Sequence, residues 1–124
     1  MNMTLNGIDI LIGRGPTRDM VEQAALDVLG VRIKEVITDR DGDRLIEVDP
    51  GGLWVRTMRL DDEHVFGCKL DIDAFGPTDF RPVIGALQAR LCVDLAVADE
   101  ESPLPEDVLI FRIDGRIDRA KLAG

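Results

Sequence analysis

The sequence predicts one α+β domain, residues 1–124, in which two helices pack on a mostly antiparallel sheet of about seven strands. Three observations predict it. The 124 residues are enough for one domain with its own core. Two segments repeat apolar residues at helical spacing, and short apolar segments separated by turn signals fill the rest of the chain.

The first strand and helix are the most regular elements. Residues 8–12 are largely apolar, which predicts a central strand. Residues 18–29 place apolar side chains along one stripe of a helix. Thr17 is suited to accept a hydrogen bond at the start of this helix, and Gly30 is suited to end it.

Four segments before the second helix are expected to pair as antiparallel hairpins. They are residues 31–38, 44–48, 53–60 and 65–72. The first two are joined by a connector that contains Asp41-Gly42, a strong tight-turn signal. A fully charged connector, residues 61–63, joins the last two.

The second half of the chain repeats this order. An apolar stripe predicts a second helix, and Pro82 is expected in its first turn. The stripe comprises Val83, Ile84, Leu87 and Leu91. A strand at 93–97, an acidic loop at 99–107, a strand at 108–113 and a short basic tail follow.

Residues 8–50 and 69–116 can be aligned as two copies of one β-α-β-β unit. Gly-Pro-Thr precedes the helix in both copies, which indicates a structural role. Glycine leaves the strand with a free φ angle, proline stiffens the approach, and threonine caps the helix. Thr17 and Thr78 are therefore the predicted caps.

The stretch Gly-Arg-Gly-Pro-Thr-Arg, residues 13–18, also invites comparison with a dinucleotide-binding loop. Arg18 stands where that motif needs its third glycine, although Asp39 falls near the position of a ribose-binding acid. The hairpin at Asp41-Gly42 replaces the helical crossover that a nucleotide-binding sheet requires. We expect no nucleotide cofactor.

Asp39, Asp41 and Asp43 imitate the start of a calcium loop. Arg44 and Pro50 occupy the positions that need glycine and glutamate, so a solvated hairpin turn is the better interpretation. We expect no metal at this turn.

No catalytic arrangement is predicted either. His64 is the only histidine, and Cys68 lies ~13 Å from it along one strand, too far for a nucleophile and its base. Cys68 and Cys92 are expected to be free thiols in a chain without a secretory signal. Trp54 is either core or a single exposed anchor, with core favoured because Trp is highly buried on average. These residues predict a protein that is not an enzyme.

The charge of the chain limits its partners. Twenty-four acidic and fifteen basic residues give a net charge of −9, which disfavours binding to DNA or RNA. No apolar segment approaches the ~20 residues that a membrane helix needs. A cytoplasmic protein with a basic protein partner is the expectation.

Two acidic loops are the candidate partner-binding residues. They contain Asp99, Glu100, Glu101, Glu106 and Asp107, with Asp61, Asp62 and Glu63 as a second patch. Such runs either keep a surface solvated or form a negative docking face, and the charge alone does not separate these interpretations.

Residues 91–103, LCVDLAVADEESP, and 109–115, LIFRIDG, combine a helix end, a short strand, an acidic turn and a strand that ends in Asp-Gly. This arrangement resembles small immunity proteins of bacterial toxin–immunity systems, including contact-dependent inhibition. The resemblance implies a non-catalytic, cytoplasmic protein that covers the active site of a cognate toxin, often a basic nuclease. An acidic, homodimeric secretion chaperone for an effector protein is the alternative.

Overall fold

A computed structural model describes residues 7–49, 52–75, 79–98 and 107–121. These residues form two α-helices packed against one antiparallel sheet of eight strands, which confirms the predicted α+β class. The elements are β1 (Gly7–Ile12), α1 (Arg18–Leu29), β2 (Arg32–Thr38), β3 (Arg44–Asp49), β4 (Trp54–Arg59), β5 (Val65–Asp71), α2 (Arg81–Leu91), β6 (Leu95–Ala98), β7 (Asp107–Phe111) and β8 (Ile117–Lys121). The eighth strand, β8, was not predicted and lies in the segment expected to be a short basic tail.

The strands lie in the order β2-β3-β4-β5-β1-β6-β7-β8, and every neighbouring pair is antiparallel. The first strand is central, as its apolar sequence predicts. Strands β1, β2, β4 and β7 therefore run in one direction, and the other four run in the opposite direction. Each helix connects two strands of the same direction, because a crossover is needed to join parallel strands.

The two predicted β-α-β-β segments follow one another along the chain but take different places in the sheet. The strand after α1 is β2, at one edge of the sheet, with three strands between it and β1. The strand after α2 is β6, with only β1 between it and β5. The two crossovers therefore span different distances.

The core lies between the helices and one face of the sheet. It includes Ile10, Ile46, Val55, Leu70 and Leu95 from the sheet and Val21, Ala25, Ile84 and Leu87 from the helices. The opposite face is not covered by the helices, and Leu11 on β1 is 40 % exposed there. Trp54 lies half-buried on that face, not in the core, and its ring packs over Gly7 of β1, where a Cβ atom would collide with it.

The two helices begin in different ways. Thr17 caps α1 as predicted, its hydroxyl accepting a hydrogen bond of 3.3 Å from the backbone N of Met20, and Gly30 ends the helix at φ 68°. The prediction that Thr78 caps α2 is wrong. The residue before α2 is Phe80, which makes no side-chain cap, and Thr78 lies outside the described residues. The late start keeps Pro82 in the first turn, where its missing N–H costs no helix hydrogen bond.

Candidate functional site

Three connections that contain predicted motifs lie at one end of the sheet. Because β1, β2 and β4 run in the same direction, the segments that follow them leave from the same end. These segments are the glycine-containing loop 13–17, the hairpin turn 39–43 and the acidic turn 60–64. We call this the His64 end of the sheet.

The acidic turn is held together by Asp61. Its carboxylate accepts hydrogen bonds from the backbone N of Glu63 at 2.9 Å and of His64 at 2.8 Å, and it lies 3.0 Å from His64 Nδ1. The bond from Glu63, with the His64 contacts, lowers the pKa of Asp61 below its ordinary value of 3.8. Asp61 is therefore a structural carboxylate of the turn, ionised at neutral pH.

Arginines connect this turn to the neighbouring hairpin. Arg59 donates from Nη2 to Asp62 at 2.6 Å and from its backbone N to Asp43 at 2.8 Å. Arg56 also reaches Asp43, at 3.3 Å. Much of the negative charge of the hairpin is thus balanced within the chain.

The hairpin itself has the predicted tight turn. Gly42 has a φ of 87°, and the carboxylate of Asp39 accepts bonds from the backbone N of Asp41 and Asp43. Asp39 therefore holds the backbone of the turn.

The loop 13–17 is attached to the acidic turn through the backbone. Thr17 forms an isolated β-bridge with His64, and the backbone N of Arg18 donates to the carbonyl of Glu63 at 2.7 Å. One of the free N–H groups at the start of α1 is thereby satisfied by the protein itself. This contact supports the structural role predicted for Gly-Pro-Thr.

The structure places the predicted binding residues in different environments. Asp61, Asp62 and Glu63 are exposed, and the side chain of Asp62 is 93 % accessible. Asp107 was expected in a loop, but it is the first residue of β7 and is 6 % exposed. The other four residues lie outside the described part of the chain: Asp99, Glu100, Glu101 and Glu106.

The two acidic loops leave from opposite ends of the sheet. Ile10 of β1 pairs with Val97 of β6, so Ala98, the last residue of β6, lies beside Asp9 in the first half of β1. Leu11 pairs with Gly67, so the acidic turn before β5 lies beyond the last residue of β1. The connection from Ala98 to Asp107 therefore begins and ends at the other end of the sheet, which we call the Asp107 end. A six-residue strand separates the two ends by ~20 Å.

A buried polar cluster was not predicted. Glu22 of α1 is 7 % exposed and accepts hydrogen bonds from Arg44 Nη1 at 2.7 Å and from Thr57 Oγ1 at 2.9 Å. The cluster ties α1 to β3 and β4. Its only signal in the sequence is a glutamate flanked by the apolar helix positions Val21 and Ala25.

The two cysteines are free, as expected, and they differ in environment. Burial raises the pKa of the Cys68 thiol to about 12, with a smaller contribution from the charge of Asp9. Cys92 is exposed, and its Sγ lies 3.5 Å from the carbonyl of Ala89.

Neither helix of the described chain is long and apolar enough to cross a membrane. Within residues 7–49, 52–75, 79–98 and 107–121, His, Cys, Asp and Glu side chains form no group of three that could hold a metal ion. Comparison of the chain with known protein families, with curated proteins and with solved structures found no match.

Proposed function

We propose that this protein is a non-catalytic acidic binding protein, an immunity protein that neutralises a cognate basic toxin domain by covering its active site. The observation that carries the proposal is the excess of acidic over basic residues, a net charge of −9. Nucleases need a cationic surface to bind a phosphate backbone, and a strongly negative protein is complementary to that surface. The resemblance of residues 91–103 and 109–115 to immunity proteins points in the same direction.

The ion pairs of the structure neutralise only part of the acidic residues. Arg59 is engaged with Asp62, and Arg112 donates to Asp94 at 3.0 Å and to Asp118 at 2.8 Å. An excess of nine acidic residues remains after every basic residue of the chain has been counted. Exposed carboxylates such as that of Glu63 steer a cationic partner toward the surface and speed its association.

The test is a co-purification with the protein encoded next to this one, followed by an activity assay of that protein. We expect a stoichiometric complex and loss of the toxin activity when this protein is added. A complex that leaves the activity intact, or no complex at all, would overturn the proposal.

The alternative is an acidic, homodimeric secretion chaperone for an effector protein, and one observation favours it. All seven residues of β2 are exposed, and three of them are apolar: Ile33, Val36 and Ile37. An edge strand of this kind can add an extended segment of another chain to the sheet. Binding of an unfolded segment of a secreted neighbour, without inhibition of its activity, would select the chaperone function.

A further inference from the structure

In the edge strand β2, successive side chains do not alternate regularly between the two faces of the sheet. Ile33 pairs with Val48 and Val36 pairs with Ile46, and both partners are buried beneath the helices. Ile33 and Val36 therefore share the helix-side face although they are three residues apart. The reason is a register shift between Ile33 and Glu35, which gives β2 one extra residue.

The extra residue places two charges side by side on the opposite face. Glu35 pairs with Glu47, and Lys34 Nζ lies 3.5 Å from Glu47 Oε1, so Lys34 and Glu35 both lie on the face away from the helices. Along β2, the side chains of residues 33 and 36 therefore lie on the helix side of the sheet, and those of residues 34 and 35 lie on the open side. A regular strand alternates strictly and cannot match this order.

We propose that β2 pairs with β2 of a second copy of this chain, antiparallel about a two-fold axis between Lys34 and Glu35. In this register Ile33 lies opposite Val36 of the other copy, and Lys34 lies opposite Glu35. Each residue and its partner on the other copy lie on the same side of the joined sheet, because both strands carry the same extra residue. The two sheets then continue into one, with the helices of both copies on the same side.

Charge complementarity selects a second copy over an unrelated strand. Charges on an edge strand normally prevent pairing, since a generic partner leaves them unmatched. Here the two-fold axis gives each lysine an opposing glutamate and each glutamate an opposing lysine. The isologous contact also buries Ile33 and Val36, which are 51 % and 42 % exposed in one copy. The contact between the two copies uses β2 alone and is independent of toxin binding.

The experiment measures the mass of the full chain by sedimentation over a wide range of protein concentration. Moderate salt is used because it screens the repulsion between two chains of charge −9. We expect a monomer–dimer equilibrium. Lys34→Glu and Glu35→Lys should each raise the dimer dissociation constant by about tenfold or more, because both symmetric pairs then face like charges.

Two further measurements separate pairing from folding. An equimolar mixture of the Lys34→Glu and Glu35→Lys variants should form a heterodimer, since every facing pair is again of opposite charge. The double variant should dimerise by itself for the same reason. Arg40→Glu and Asp41→Lys, in the exposed turn after β2, change the net charge equally and should leave dimerisation unchanged. Melting temperatures verify that each variant is folded.

A chain that stays monomeric at all concentrations overturns the proposal. So does a dimer that the single charge reversals do not weaken, because its interface must then lie elsewhere. Failure of the mixed variants to associate would likewise exclude this register. None of these outcomes depends on the toxin assay, so the dimer and the proposed function can fail separately.

Discussion

At the scale of single residues, burial decides the chemistry of the two cysteines. The nucleophilic form of cysteine is the thiolate, and the raised pKa of Cys68, about 12, keeps its thiol protonated at pH 8. We expect iodoacetamide to label only Cys92 in the native protein and both cysteines in urea. Mass spectrometry of the labelled chain checks this. Native labelling that persists in a Cys92→Ser variant would contradict it.

Glu22 shows how one buried carboxylate can hold two elements together. In Glu22→Ala the buried hydroxyl of Thr57 and one N–H of Arg44 lose their acceptor, which we expect to lower the free energy of unfolding by about 2 kcal/mol. Thr57→Val should cost about 1 kcal/mol, and the double variant should cost less than the sum. Urea denaturation measures all three.

Asp19 provides the matched control for this network. Its carboxylate lies 3.9 Å from the same Arg44 Nη1, but its side chain is 89 % exposed. Exposed pairs of this kind contribute little, so Asp19→Ala should leave stability nearly unchanged. An equal loss from Asp19→Ala and Glu22→Ala would show that burial does not matter at this site.

At the scale of elements, local signals predicted both helices and the first seven strands, and they failed where two local signals compete or where apolar residues are too few. The stripe of 18–29 and its two caps describe α1 correctly. The start of α2 depends on Pro82, which outweighs a threonine upstream. Strand β8 has only Ile117 and Ala120 as apolar residues, too few for a period-two pattern, and its turn at Asp114-Gly115 was the one local signal.

The hairpin between β7 and β8 is anchored by Asp94. Its carboxylate accepts from the backbone N of Ile113 at 2.9 Å and from Arg112 at 3.0 Å, and these bonds, that from Ile113 first, lower its pKa below 3.8. A lowered pKa in the folded state gives stability that is present above the unfolded value. That stability is lost as pH falls through the folded value.

We therefore expect Asp94→Asn to be less stable than the wild type at pH 7 and to lose less stability on acidification below about pH 3.8. Urea unfolding at neutral pH and through the acid range measures both effects. Asp41→Asn, in the exposed turn after β2, is the control. Parallel pH profiles for wild type and Asp94→Asn would contradict the anchoring role.

At the scale of the whole molecule, the sequence could not place the candidate site. Periodicity identifies a strand but not its neighbours, and strand order alone decides that loop 13–17 meets the turn containing His64. The same order places Ala98 and Asp107, the residues on either side of the second acidic loop, at the other end of the sheet. The Glu22 cluster joins three elements that are separate in sequence, and only the fold brings them together.

This arrangement leads to a prediction about association with a cationic partner. The two ends are ~20 Å apart, more than twice the ~8 Å Debye length at physiological salt, so charges at one end are screened from a partner docked at the other. We expect one of two neutralised variants to lose most of the salt dependence of the association rate. One variant is Asp62→Asn with Glu63→Gln, and the other is Glu100→Gln with Glu101→Gln.

Stopped-flow association with the neighbouring gene product, at low and high salt, distinguishes the two ends. The variant neutralised at the docking end should associate more slowly than wild type at low salt. The association rates of this variant and of wild type should converge as the salt concentration rises. The pair Asp27→Asn and Glu47→Gln removes the same charge from α1 and from the middle of β3, away from both loops, and should behave like wild type. Equal losses in all three variants would mean that net charge alone steers the encounter. If no variant changes either the association rate or the affinity, docking does not use the acidic loops, because a desolvated carboxylate at an interface must affect either association or dissociation.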